Sequence, residues 1–175
     1  EITRDIALRF NHRFGDTFVV PKAVTPAAGA RVMDLQSPTN KMSKSTDTEA
    51  GIIYLTDSPS DIEKKFKRAV TDSDNSVSYD REGKPGVSNL LDILSVATNT
   101  PVATLVENYS QYGKLKTDTG AAVAAMLEPI RVRYEELKSD PGELSRLLRI
   151  GAARAQSVAA TTLDRAYRAI GLAAR

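Results

Sequence analysis

The sequence predicts a mainly α protein: the tail of a mixed α/β domain over residues 1–72, then a small helical bundle over 86–172. Three observations carry that prediction. Beyond Gly86, apolar residues recur at helical spacing in one segment after another. The β-branched apolar run Gly51-Ile52-Ile53-Tyr54-Leu55, which reads as a buried strand, lies before that point. Helix-start signals, a capping residue with Pro or an acid close behind, recur at Ser60/Glu63, Thr100-Pro101 and Asp140-Pro141-Gly142-Glu143.

Taken in order, Ile2 to Arg13 has helical spacing with Ile6 and Phe10 on one stripe, and Gly15 stops it. Phe18-Val19-Val20 is a short extended run ended by Pro21, and residues 22–30 form a Pro/Ala/Gly connector. Arg31 to Leu35 is expected to be a short strand or turn. After the Ile52–Leu55 strand, Asp57 to Ser60 turns into a helix that runs to about Thr71, with Ile62, Phe66, Ala69 and Val70 facing inward. Lys64, Lys65, Lys67 and Arg68 form its polar side, which reads as a solvated face before it reads as a polyanion contact. Residues 72–85 are polar and expected to be loop. Leu90, Ile93, Leu94 and Ala97 line the next helix; Val102, Leu105, Val106 and Tyr109 line the one after. Residues 110–120 read as a connector. A helix follows over Ala121 to Leu137, kinked at Pro129. The last helix presents Leu144, Leu147, Leu148, Ala155, Val158, Ala159, Ala166 and Ile170 and stops at Gly171.

Composition narrows the function classes. With 41% hydrophobic and 26% charged residues, the 175-residue chain has the balance of a folded globular protein, not of a disordered one. The absence of Cys excludes disulfides and thiolate metal sites, and the single His12 excludes a multi-histidine zinc site. No apolar run is long enough to span a membrane. Charge is uneven: residues 1–130 carry 15 Lys/Arg against 17 Asp/Glu, whereas 131–175 carry 9 against 5. The basic C-terminal part is compatible with a polyanionic partner and equally with solvated helix faces.

The chemistry concentrates at Lys41-Met42-Ser43-Lys44-Ser45. Pro38, Thr39 and Asn40 precede these residues and Thr46, Asp47, Thr48 and Gly51 follow, which places them on a mobile loop. Two ammonium groups and two hydroxyls on a loop suit a polyphosphate, because lysine acts there as a compact point charge with three donors. The apolar residues of Arg31-Val32-Met33-Asp34-Leu35 fit either a base pocket beside that loop or plain core.

Lys41 to Ser45 matches the second signature of class I aminoacyl-tRNA synthetases residue for residue. Arg31-Val32-Met33-Asp34-Leu35 with Pro38 and this loop resembles the bacterial-type tryptophanyl-tRNA synthetases. So do Thr3-Arg4-Asp5-Ile6-Ala7 with Arg9-Phe10-Asn11, Ala69-Val70-Thr71-Asp72-Ser73, and Lys84-Pro85-Gly86-Val87-Ser88-Asn89-Leu90-Leu91. The likeness continues weakly through Pro129-Ile130-Arg131 and the final helix. Ser37 and Thr46 stand where many relatives have Asp, and neither replaces a signature lysine.

The resemblance implies the C-terminal part of such an enzyme: the end of a Rossmann-type nucleotide-binding domain over 1–72, a linker over 73–85 and a helical tRNA anticodon-binding domain over 86–175. It implies a cytoplasmic, homodimeric ligase that joins tryptophan to ATP, with Mg2+ accompanying the polyphosphate, and passes the aminoacyl group to its tRNA. Lys41 and Lys44 would be catalytic. Val32, Lys41, Met42, Ser43, Lys44 and Ser45 would bind ATP, and Arg131, Arg146, Arg149 and Arg154 are candidates for tRNA phosphates. The first signature, with its paired histidines, and the amino-acid pocket have no counterpart here, so the chain alone is expected to be inactive and its loop disordered or displaced. A non-catalytic helical RNA- or protein-binding module and a tyrosyl-type synthetase are the alternative readings.

Overall fold

Six α-helices and one 3₁₀ turn make up the regular structure in a computed structural model that describes residues 1–26, 29–45 and 48–173. The departure at Thr46 lies outside those residues, as do Asp47 and part of the 22–30 connector. The helices are α1 (Ile2–Phe14), α2 (Pro59–Lys67), α3 (Pro85–Thr98), α4 (Val102–Asn108), α5 (Tyr112–Ser139) and α6 (Pro141–Ala169), and the 3₁₀ turn is Glu49–Gly51. No strand is present among the described residues; one isolated antiparallel bridge joins Met33 and Lys41. The mainly α prediction holds. The chain divides into two compact units, one of residues 1–25 with 137–175 and one of residues 26–136.

In the first unit, α1 ends at Gly15, whose φ of 84° lies in the left-handed region and whose N–H bonds Asn11 O. The Asn11 side chain then clips the following turn. Its Oδ1 accepts from Thr17 N and Phe18 N, and its Nδ2 donates to Phe18 O at 2.7 Å. Phe10 meets Phe14 and, edge-on, Phe18 at centroid distances of 4.9 and 4.8 Å. Phe18, where the short run Phe18–Val20 begins, is the far side of an Asn-clipped turn. α6 starts as the sequence predicts: Pro141 opens it and Asp140 accepts from Glu143 N at 2.9 Å. Its apolar stripe is not buried, however; Leu148 is 64% and Val158 75% exposed, and only Ala166 is buried. Helical periodicity identifies a face and says nothing about whether something covers it.

The second unit holds the core. Leu35, Ile62, Phe66, Ala69, Val87, Leu90, Leu91, Leu94, Leu105, Tyr112, Leu115, Val123, Ala124 and Leu127 form one buried cluster. Burial of a side chain such as Phe66 contributes about 1.5–3 kcal/mol. Residues Gly86 to Asp92 of α3 are all buried, so this helix is enclosed around its N-terminal turns and not along one stripe. α2 begins two residues earlier than the Ser60/Glu63 signal: Pro59 takes the first helical position and Ser58 accepts from Asp61 N at 3.2 Å. α4 begins one residue later than expected, because Pro101, with φ −57° and ψ 141°, stays extended and precedes the helix.

Two further expectations need correction. Residues 112–120, read as a connector, are the first turns of α5. Gly120 is there for close packing: a β-carbon on it would lie 3.2 Å from Glu63 Cα and 3.3 Å from Phe66 Cβ. Ile52–Leu55 is not a strand. A strand needs a ladder partner, and none exists among the described residues; Asp57 instead turns the segment, its N–H bonding Tyr54 O and its Oδ2 accepting from Tyr54 N.

The polar segment 72–84 is a loop held by hydrogen bonds, and Pro85, expected to belong to it, opens α3. Lys84 Nζ donates to Asp72 Oδ1 (3.1 Å), Asp74 Oδ2 (2.9 Å) and Tyr112 Oη (3.1 Å), and Tyr112 Oη lies 2.5 Å from Asp72 Oδ1. Asn75 Oδ1 accepts from Tyr112 N, and Asp80 N donates to Ser88 Oγ. The Tyr112 hydroxyl, more than the Lys84 ammonium, holds the Asp72 carboxyl down at about 2. A carboxyl whose folded value lies below its unfolded value stabilises the fold when ionised, and that contribution disappears as pH falls through the folded value. Chemical denaturation is therefore expected to show stability lost between about pH 4 and pH 2, and Asp72→Asn is expected to be less stable at pH 6 and to flatten that acid limb. An acid limb unchanged by the substitution would count against the assignment.

Candidate functional site

The lysine loop is built on a narrow antiparallel turn. Asn40 N donates to Ser37 O, Asp34 N to Asn40 O, and Met42 N to Val32 O at 3.0 Å. These bonds bracket the Met33–Lys41 bridge. They bring Val32 beside Met42 and leave Val32 38% exposed. Met42 is half-buried and packs against the core cluster, whereas Lys41, Ser43, Lys44 and Ser45 are exposed. Neither Lys41 nor Lys44 forms an ion pair among the described residues. Ser45 N donates to Ser43 Oγ at 3.3 Å, a local bond that curls the tip of the loop.

The turn is held from behind by groups that sequence reasoning did not assign a role. Asp34, 3% exposed, accepts from Gln36 N and Ser37 N with Oδ1, a turn-stabilising pattern typical of Asp. Leu35 N donates to Gly51 O and Leu35 O accepts from Val70 N at 2.7 Å. Asn89, on α3, accepts from Met33 N and donates to Met33 O, both at 2.9 Å. The sequence offered one signal for this: a carboxamide set within the apolar text Val87, Leu90, Leu91, Leu94 must satisfy both its polar ends somewhere.

The other basic candidates are distributed differently. Arg131 grips Glu128 with two bonds of 3.0 and 2.7 Å, and Arg146 grips Glu143 with two of 2.6 and 2.8 Å. Arg149 and Arg154 form no ion pair among the described residues and are exposed. The basic run on α2 is locally neutralised: Lys65 meets Asp57 at 2.6 Å, Lys64 meets Asp61 and Lys67 meets Glu63. Among the described residues, no three His, Cys, Asp or Glu side chains are grouped to hold a metal ion. No described helix is long and apolar enough to cross a membrane.

The family model for class I tRNA synthetases (W and Y) matches residues 1–131. The tryptophan–tRNA ligase 1 of Streptomyces coelicolor is 53% identical over 172 residues, covering 98% of this chain and 51% of that protein. The tryptophan–tRNA ligase of Mycobacterium leprae is 50% identical over 173 residues, 98% of this chain and 50% of that protein. The crystal structure of the tryptophanyl-tRNA synthetase from Mycoplasma pneumoniae superposes with a TM-score of 0.83 at 31% identity, over 97% of this chain and 52% of that one. The Campylobacter jejuni enzyme, complexed with ADP and tryptophan, gives a TM-score of 0.60 at 28% identity over the same shares. The chain spans about half the length of the curated relatives it matches.

Gly51 is the tightest point behind the turn, because a β-carbon there would run into the Asp34 carboxylate. Gly51→Ala is expected to cost about 1–3 kcal/mol, as overpacking of a filled site does. Urea titration checks the magnitude; a variant as stable as the parent would remove Gly51 from the support of the loop.

Proposed function

The chain belongs to the family of class I tRNA synthetases for W and Y, and on that premise we propose that it supplies the C-terminal half of a tryptophan–tRNA ligase. Residues 1–72 complete a Rossmann-type nucleotide-binding domain, 73–85 lead out of it, and 86–175 form the helical part that meets the tRNA anticodon. The reaction joins the tryptophan carboxylate to the α-phosphorus of ATP as the bond to pyrophosphate breaks, and the aminoacyl group then passes to the terminal adenosine of the tRNA. ATP, tryptophan and that tRNA are the partners of the whole protein, which we take to be a cytoplasmic homodimer. Mg2+ enters as part of the nucleotide substrate.

One observation carries this reading: two exposed lysines, free of carboxylate partners among the described residues, on a turn whose base is paired to the backbone of Val32 and Asp34. Negative charge builds on the leaving pyrophosphate in the transition state. Ammonium groups brought to it in a water-excluded site stabilise that charge more than they stabilise the substrate. Lys41 and Lys44 are assigned that role, with Ser43 and Ser45 donating to phosphate oxygens and Val32 and Met42 bordering the adenine. The names of the relatives favour tryptophan over tyrosine as the amino acid. For the tRNA, Arg149 and Arg154 are free to meet phosphates directly, whereas Arg131 and Arg146 must exchange a glutamate for one.

Lys44→Ala in the intact protein is expected to lower the tryptophan-dependent rate of adenylate formation by on the order of 10²–10³, the scale of losing one transition-state donor. Single-turnover measurement with tryptophan and, in parallel, tyrosine checks both the residue and the substrate. An unchanged rate removes Lys44 from the chemistry, and activity with tyrosine alone overturns the substrate. The 175-residue chain by itself is expected to form no adenylate.

A further inference from the structure

The signature turn is a two-stranded device that lacks the neighbour a sheet would give it. Alternate backbone groups point to opposite sides, as in any extended segment. Val32 O and Asp34 N face Met42 and Asn40 on the loop side. Met33 and Leu35 turn their N–H and C=O groups the other way. Leu35 finds Gly51 O and Val70 N, so its outer edge is paired by backbone. Among the described residues Met33 is paired only by a side chain: Asn89 Oδ1 takes its N–H and Asn89 Nδ2 its C=O, both at 2.9 Å. A carboxamide presents one acceptor and one donor in a plane, the same complement as a peptide edge. Asn89 therefore fills the ladder position of an absent strand.

We propose that Asn89 is a positioning residue for the signature loop, setting the register of Lys41 and Met42 from the buried helix α3. The chain of contact is short and made of backbone: Asn89 to Met33, Met33 to its bridge partner Lys41, and the flanking bonds Val32–Met42 and Asp34–Asn40. The anchor is fixed, since Asn89 is 4% exposed and its neighbours Val87, Leu90, Leu91 and Leu94 are 0–2% exposed. The contact spans 56 residues of sequence, from the loop's own turn to a helix in the core. Loss of the carboxamide leaves the Met33 N–H and C=O without partners in a half-buried place. The outer edge of the turn is then free to shift, and the loop on its inner edge shifts with it. Asn89 touches neither nucleotide nor amino acid in this scheme; it acts through Met33.

The kinetic part of the test rests on the ligase reading, and the exchange part does not. In the intact protein, Asn89→Ser and Asn89→Ala are to be followed by amide hydrogen exchange and by tryptophan-dependent ATP–pyrophosphate exchange. The smaller polar variant guards against loss of the fold in the alanine one. Amides of residues 31–42 are expected to exchange faster by about tenfold or more, the scale of a lost buried hydrogen bond, while those of α3 and α5 keep their protection. KM for ATP is expected to rise by a similar factor with KM for tryptophan unchanged. Unaltered exchange over 31–42, protection lost equally across α3 and α5, or ATP and tryptophan constants moving together would each overturn the proposal. If the unsubstituted protein forms no tryptophanyl-adenylate, the ligase reading fails by itself and hydrogen exchange still decides whether Asn89 holds the loop.

Discussion

The pairing of one peptide, that of Met33, is the constraint on which the site depends. On one side its neighbours bond the base of the lysine loop; on the other its own N–H and C=O are taken by Asn89. Extended backbone half-buried without partners is costly, of order 1–3 kcal/mol for each orphaned group. A segment with no sheet around it must therefore find its partners elsewhere. Here they come from a side chain of α3, from the carbonyl of Gly51 and from the amide of Val70. Each of those groups belongs to a different stretch of chain, so the turn is located by convergence and not by its own propensity.

That convergence explains where small residues are required. Gly51 lets the Asp34 carboxylate close over the turn and satisfy Gln36 N and Ser37 N. Gly86 does the same on the other flank, where a β-carbon would collide with the carbonyl of Val70, the residue whose amide pairs Leu35. Gly120 brings α5 against the Glu63 backbone and the Phe66 side chain of α2. None of the three has a positive φ, so their role is approach distance and not backbone freedom. The same economy governs the acidic loop before α3: Lys84 spends its three donors on Asp72, Asp74 and Tyr112, which fixes the helix entrance just before Pro85.

How much of this could be read in the sequence follows from the range of each interaction. The lysine signature is contiguous and defined by side-chain type, so the family likeness it carries was legible at once. Helix ends set by local geometry were nearly so: Gly15, Asp140 with Pro141, and Gly171 stand where they were expected. Errors arose where a distant partner decides. The run Ile52–Leu55 has the composition of a strand but no strand to pair with among the described residues. Residues 112–120 look like loop because Gly113 and Gly120 lower helix propensity, yet Leu115 and Thr119 are wholly buried and hold the helix through packing. Asn89 was visible as a polar residue in apolar text, but its partner is a backbone group and carries no sequence signal at all.

The loop itself combines two kinds of order. Its base, which includes Lys41, is pinned by backbone pairing, and its tip carries Lys44; no carboxylate holds either ammonium group among the described residues. An ion pair at Lys41 or Lys44 would have to be broken before a polyphosphate could be met, and that loss would offset part of the electrostatic gain. Leaving both ammonium groups in water avoids the competition but leaves their rotamers free, a freedom worth up to about 1.5–2 kcal/mol per lysine when it is surrendered. A fixed base limits how much further entropy closing the loop must remove, because only the residues beyond Met42 have to reorganise. The two alpha-helical neighbours of the turn thus matter to the charge chemistry proposed for the lysines without touching it: α2, through the Val70 segment that follows it, and α3, through Asn89, hold the base from which the lysines project.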